Sequence, residues 1–237
     1  MKTLISSLVF LSMAWGCAAA ETYTARLGEK TYSLEEVFYE NFSEDLRNWR
    51  AEGDAEVRLN SGWLEVDARS GEVGAVTIWC TSEFSGAQLV EYDVRLMDNS
   101  IQSNINMFLM ASMPEGKGIL ATSGERNGSY GQYHTFPNYL VTILNAASSE
   151  KREMLRVRMR LDPGFKPAEE KWYEPLIFGR IYHVAYLIQP PEVTVFLDGR
   201  ELARSTYGSV LERGLHGLRI WHTHSIYDNF RVSRIVE

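Results

Sequence analysis

Beyond residue 20, apolar and polar side chains alternate in short runs separated by Gly, Asn, Asp, Ser and Pro. That period of two belongs to half-buried β-strands. The clearest runs are 63–68, 75–81, 89–97, 104–111, 140–144, 154–161, 181–188, 193–197, 215–223 and 227–235. The step Leu197-Asp198-Gly199-Arg200 between alternating runs predicts a tight hairpin turn. A helical period is nearly absent; one short turn is expected over 43–47, with Ser43 as its cap. Two polar stretches, 112–138 and 162–174, read as long loops, the kind that carry function on a rigid scaffold. Many short strands at regular spacing predict an all-β jelly-roll sandwich of two antiparallel sheets.

Successive side chains on a strand point to opposite faces, so parity sorts each run into two surfaces. One surface is apolar: Val76 and Ile78; Tyr92, Val94 and Leu96; Leu155, Val157, Met159 and Leu161; Leu218 and Ile220. The other carries Thr77, Trp79 and Thr81; Glu91, Asp93 and Arg95; Arg156, Arg158 and Arg160; Arg219, Trp221 and Thr223. A solvated face is usually mixed in Lys, Glu, Thr and Ser. Arginine alternating along one strand, with tryptophan on others, is instead the composition of a binding surface. The substrate-binding residues predicted from this face and its neighbours are Trp79, Arg95, Asn106, Asn138, Tyr139, Arg156, Arg158, Arg160, Arg219 and Trp221.

The stretch 126–139 concentrates hydrogen-bonding and proton-transfer groups: Arg126, Asn127, Tyr130, Gln132, Tyr133, His134, Asn138 and Tyr139. Arg126, Tyr130, Gln132, Tyr133 and His134 are the candidate catalytic set. His222 and His224 follow Trp221 at a spacing that would put both on one strand face, as further substrate contacts. No acidic or cysteine partner stands at a recognisable spacing from them, so no metal site is predicted.

The first twenty residues have a basic start, an apolar run from Leu4 to Trp15 and small residues before Glu21. They read as a signal peptide, leaving residues 21–237 as one domain. No later run is long enough for a membrane helix, so a periplasmic or secreted protein is expected. Cys17 offers a lipid-anchoring alternative, but Ala14-Trp15 is a poor lead-in. Cys80 is then the one remaining thiol, and stability must come from a core. The formal charge of −7 becomes −8 without Lys2, which speaks against nucleic acid as a partner.

Four segments carry a family resemblance: Tyr130-x-x-Tyr133-His134; Asn138-Tyr139 entering a strand; the run from Arg158 to Phe165; and Tyr227-Asp228-Asn229-Phe230-Arg231-Val232. Together with Phe38-Tyr39-Glu40-Asn41-Phe42, they resemble the YesU-like family, domain of unknown function 1961. The resemblance implies a concanavalin-like jelly roll from bacterial loci that degrade acidic polysaccharides, with no settled mechanism. Related retaining glycosidases carry paired carboxylates on one strand, and the nearest match, Glu91-Tyr92-Asp93-Val94-Arg95-Leu96, lacks the second glutamate. β-Elimination beside a uronic acid instead needs a cation or amide on the carboxylate and a Tyr or His to move the proton, which suits the 126–139 set. The expected partner is therefore an acidic polysaccharide, cleaved by a lyase-like reaction. A non-catalytic lectin-like module is the alternative, and a glycoside hydrolase a weaker one. No cofactor is required, although Asp228 and Asn229 could help hold a structural calcium ion.

Overall fold

The computed structural model describes residues 22–97, 103–113, 118–145 and 154–236. The leader and Cys17 lie outside the described residues. In chain order the strands are β1 (Thr22–Leu27), β2 (Lys30–Glu40), β3 (Trp49–Gly53), β4 (Glu56–Asn60), β5 (Trp63–Asp67), β6 (Ala75–Cys80), β7 (Phe84–Ser85), β8 (Gln88–Leu96) and β9 (Ser103–Ala111). They continue with β10 (Asn138–Asn145), β11 (Leu155–Asp162), β12 (Lys166–Tyr173), β13 (Ile181–Gln189), β14 (Glu192–Leu197), β15 (Arg200–Thr206), β16 (Arg213–Trp221) and β17 (His224–Val236). One sheet runs β1-β2-β17-β8-β13-β14-β15, with β5 and β4 attached beside β17; the other runs β12-β11-β10-β9-β16-β6-β3, with β7 on β16. Neighbouring strands are antiparallel, giving the predicted jelly-roll sandwich.

Each clear alternating run is a strand within three residues of its predicted ends. The hairpin at Asp198-Gly199 is tight because both residues take positive φ, 49° and 76°, the geometry that matches strand twist. Two expectations are corrected. Residues 162–174 are not a loop: they contain β12, an edge strand with little apolar contact on either face, so its sequence shows no buried period. Residues 43–47 form no helix; the Asn41 side chain takes the Ser43 amide at 3.1 Å and the Asp45 side chain takes the Arg47 amide at 2.9 Å, so local side-chain bonds replace a helical turn.

The apolar parity set meets between the sheets. Val76, Ile78, Tyr92, Val94, Val157, Met159, Leu218 and Ile220 share one core with the aromatic group of Phe42, Trp49 and Phe230, where Trp49 and Phe230 pack edge to face at 4.9 Å. Cys80 is buried in the same core, and desolvation pushes its thiol up to about 12, making it an inert packing residue.

The outward face of the β8 sheet carries Glu91, Asp93 and Arg95, because their neighbours Tyr92 and Val94 point inward. His183 on β13 lies across from them, its Nδ1 2.9 Å from Asp93 and its Nε2 3.2 Å from Glu91. These carboxylates push the imidazole up to about 9, above the roughly 6.5 of an unfolded chain. The raised value means that the stabilisation is complete below about pH 6.5 and is lost as pH rises toward 9. In thermal melts across this interval, the midpoint of the native protein should fall more than that of His183→Gln. Parallel curves would show that this pair adds no stability.

Candidate functional site

Strand register organises the outward face of the β9–β10–β11–β16 sheet into three rows that cross the strands. The first contains Trp79, Gly217, Phe108, Leu140 and Arg160. The second runs Glu52, Thr77, Arg219, Asn106, Thr142, Arg158 and Glu170. The third holds Trp221, Asn104, Leu144, Arg156 and Trp172. A row that is apolar up to Arg160 at its end, a polar row and a mixed row therefore lie side by side.

The segment after β9 covers the apolar row. Its two short 3-10 helices, Ile119–Glu125 and Tyr130–Tyr133, bring Ile119, Tyr133 and Phe136 onto Trp79, Phe108 and Leu140. Phe108 stacks on Tyr133 at 5.3 Å and on Trp79 at 5.5 Å. The segment is fastened to β3 by a buried ion pair. Arg126 reaches Glu52 through Nε at 2.7 Å and Nη2 at 2.5 Å, while the Tyr133 hydroxyl donates to Glu52 at 3.2 Å. Arg126 also donates to the Ile119 carbonyl and to Thr122 Oγ1, tying the segment to itself. Close approach requires Gly128, whose φ is +87° and where a Cβ would meet the Ala75 carbonyl oxygen at 2.5 Å.

Beside this cover, above the second and third rows, lies a cavity of about 400 Å³. Arg156, Arg158, Arg160 and Arg219 line it together with Asn104, Asn106, Thr142, Ser129, Tyr130, Phe165 and Trp221, and no carboxylate is among the lining residues. Arg219 is 2% exposed, lies over the Tyr130 and Tyr133 rings at 5.4 and 5.5 Å, and its Nε and Nη1 find no acceptor among the described residues. Arg160 sits 3.9 Å over Phe165; burial and the neighbouring Arg158 bring its guanidinium down to about 10. Arg156 lies over Trp172 at 5.7 Å, its Nε also without an acceptor. Of these four arginines, Arg158 is the one with a carboxylate partner among the described residues, Glu170 at 2.5 Å. Trp221, partly exposed, is held at the rim because Asn104 bonds both its amide and its carbonyl.

The predicted residues divide accordingly. Arg156, Arg158, Arg160, Arg219, Asn106, Trp221 and Tyr130 meet in the cavity. His134 stands behind it, stacked on Phe165 at 4.0 Å and edge-on to Tyr130 at 4.5 Å; burial and the charges of Arg160 and Arg219 lower its pKa, so the imidazole is neutral at ordinary pH. Tyr133 and Arg126 lie beneath the cover on Glu52, and desolvation first of all pushes the Tyr133 phenol up to about 12. Gln132 accepts the Asn127 amide at 3.0 Å in an exposed bond within the covering segment and does not line the cavity. Asn138 is buried, donating to the Phe136 carbonyl at 2.9 Å. Tyr139 points to the core side, where its hydroxyl donates to the Ser209 carbonyl and accepts the Leu211 amide.

Four placements correct the sequence reading. Trp79 is on the right face but wholly buried under the cover. Arg95 is on the other sheet, over Trp63 at 5.8 Å, because parity assigns a face without saying to which sheet a strand belongs. The same holds for Glu91 and Asp93. His222 and His224 do not share a face: the chain passes from β16 to β17, and so between sheets, at that point. His222 packs edge-on to Trp221 at 4.7 Å, while His224 bonds Glu65 at 2.8 Å. Cavity residues absent from the prediction are Asn104, Thr142, Ser129, Val73, Leu144 and Phe165. Asn104 and Thr142 were findable, as polar positions in otherwise apolar strands and in parity with Asn106. Among the described residues no group of three or more His, Cys, Asp or Glu could hold a metal ion. Asp228 and Asn229 are engaged locally, the first accepting the Asn229 amide and the second donating to Asp93. No helix of the described residues is long and apolar enough to cross a membrane.

No curated protein sequence matches the chain. Among solved structures, a Bacillus subtilis protein of unknown function with a galectin-like fold superposes with a TM-score of 0.73 at 19% identity, covering 86% of this chain and 99% of its own. The endo-β-1,3-glucanase of Pyrococcus furiosus gives 0.60 at 11% identity, with coverage of 90% and 98%. The carbohydrate-binding module CBM66 of Bacillus subtilis gives 0.53 at 13%, with 79% and 96%. At these identities the likeness is one of fold. A family profile matches residues 71–230; its number is not the 1961 of the YesU-like resemblance, and the jelly-roll sandwich implied by that resemblance is what the chain shares with the solved structures. From the turn before β6 to the middle of β17, the chain matches and therefore belongs to the family described as Domain of unknown function (DUF6250).

Proposed function

We propose that the chain is an exported carbohydrate-active protein whose cavity holds an acidic unit of a polysaccharide and cleaves beside it by β-elimination. One observation carries the reading: Arg219 is buried in a cavity lined by three further arginines and no carboxylate. Burying a cation without a counter-charge costs several kcal/mol, on the order of the effective penalty per ion, so the site calls for an anion from outside. A uronate or sulfate fits a guanidinium's parallel donors, and Trp221 at the rim offers a sugar a flat apolar face. The fold neighbours include a carbohydrate-binding module and a glucanase, which supports a saccharide as the occupant.

Elimination assigns distinct roles. Arg219 and Arg160 pair with the carboxylate and so acidify the neighbouring C5–H. The proton leaves to a base, the C4–O bond breaks as C4=C5 forms, and the departing oxygen takes up a proton. Tyr130 is the lining phenol, and in this scheme its phenolate accepts the C5 proton and the resulting phenol returns it to the leaving oxygen. Burial raises the Tyr130 pKa, while Arg160 and Arg219 oppose that rise. A hydrolase of the paired-carboxylate kind has nothing to use among the lining residues.

Incubation with acidic polysaccharides should generate an unsaturated product, seen as growing ultraviolet absorbance, at a rate that rises toward alkaline pH as the phenolate fraction grows. Tyr130→Phe should abolish the absorbance and leave glycan affinity within about threefold, since the phenol acts on the transition state. Full activity in Tyr130→Phe would overturn its role, and tight binding with no product by the native protein would make it a lectin-like module. Arg219→Met should weaken acidic-glycan binding about 10- to 100-fold, the worth of a charged hydrogen bond. The same substitution should leave the thermal midpoint unchanged or raise it, at about 2–4 °C for each kcal/mol gained. Native binding should also weaken as salt rises; equal affinity for a neutral glycan, independent of salt, would sink the acidic-substrate reading.

A further inference from the structure

The arginine wall has a second side. Arg158 and Arg160 line not only the cavity but also a recess of about 530 Å³ toward the edge strand β12, where Phe165, Pro167, Ala168, Glu169 and Glu170 complete the lining. The two spaces thus share two guanidiniums and the Phe165 ring. Their chemistry differs: the cavity has cations and no carboxylate, whereas the recess faces the same cations with two carboxylates. Desolvation raises Glu170, but its bond to Arg158 and the charges of Arg158 and Arg156 together outweigh that and hold it below the usual carboxylate range, so it stays ionised. It keeps oxygens available to accept hydroxyl donors, and a second anion placed there would be repelled.

We infer that this recess is a second subsite of one continuous groove, and that it takes a neutral, hydroxyl-rich sugar next to the acidic unit in the cavity. This inference rests on the acidic-glycan reading given above. Arg158 and Arg160 stand between the two units and donate to both, Glu170 accepts from hydroxyls of the neutral sugar, and Phe165 packs against its apolar face. The preferred ligand is then a polymer that alternates acidic and neutral residues, rather than a homopolymer of uronic acid.

The test measures calorimetric binding of three probes built on one uronic acid: glucuronate, a β-1,4-linked glucuronate tetramer, and a tetramer alternating glucuronate with N-acetylglucosamine. The alternating tetramer should bind at least tenfold tighter than glucuronate, and the homopolymer should gain little. Ala168→Trp fills the recess from an exposed position on the edge strand. It should reduce the alternating tetramer to the affinity of glucuronate and leave glucuronate itself unchanged. Glu170→Gln should raise affinity for the glucuronate tetramer by removing the repelling charge. Equal affinity for monomer and alternating tetramer, or an Ala168→Trp protein that still distinguishes them, would overturn the subsite while leaving the acidic-glycan reading intact. A homopolymer that gains as much as the alternating chain would overturn the neutral-sugar assignment. No binding of any probe to the native protein, with all three failing alike, would instead overturn the acidic-glycan reading on which the subsite rests.

Discussion

The arrangement of the cavity-bearing sheet face depends on the buried ion pair between Arg126 and Glu52, whose side chains are 8% and 0% exposed. An eight-stranded sheet offers a broad outward face, and without a cover its apolar row would be solvent-exposed. The pair fixes the covering segment over that row, and Tyr133 joins it at the same carboxylate. Removing one partner would strand a buried charge at a cost of about 3–5 kcal/mol, which makes the attachment hard to loosen locally. What remains uncovered is the polar row and the mixed row, and those form the cavity. Thus the cavity's edge is set by a contact on β3, across the sheet from Arg158 and Glu170 on β11 and β12.

The same physics acts in the opposite sense at Arg219. Arg126 and Arg219 are both largely buried guanidiniums, yet one has a carboxylate and the other has aromatic faces and no acid. Aromatic rings supply part of the compensation for a buried cation, about 2 kcal/mol or more when desolvated. They do not accept its Nε–H and Nη1–H as an anion's oxygens would. The fold therefore keeps one buried arginine satisfied to hold its structure and leaves another with donors to spare.

Much of this was legible from period alone. Strand parity separated Val157 and Met159 from Arg156, Arg158 and Arg160 correctly, because β11 is buried on one face and lines the cavity on the other. Parity failed for Arg95, since it reports a face and not a sheet, and for Trp79, since a long-range cover can bury an outward residue. The 126–139 segment was recognisable as unusual, but the roles within it were not. Tyr130 and Tyr133 are three residues apart in one short 3-10 helix, and only the placement of Glu52, more than seventy positions earlier, decides which phenol is tied down and which faces the cavity. β12 escaped because an edge strand with charges on both sides carries no hydrophobic period.

That edge strand also explains why the arginines of β11 behave differently from one another. Arg158 meets Glu170 directly across the pair, Arg156 meets the Trp172 ring, and Arg160 reaches Phe165 where the β11–β12 register shifts. Three residues of one type on one strand face thus acquire an ionic, an aromatic and a largely desolvated setting. The graded settings matter for an incoming anion. Arg160, brought down to about 10, gains most from a new counter-charge, while Arg158 already shares its charge with Glu170. On the acidic-glycan reading proposed above, the acidic unit would sit on the Arg160 and Arg219 side, beside the covering segment, where a lower dielectric strengthens pairing. Arg158 is left to face the recess. The order of charges along this sheet face follows from which β12 residue each β11 arginine meets.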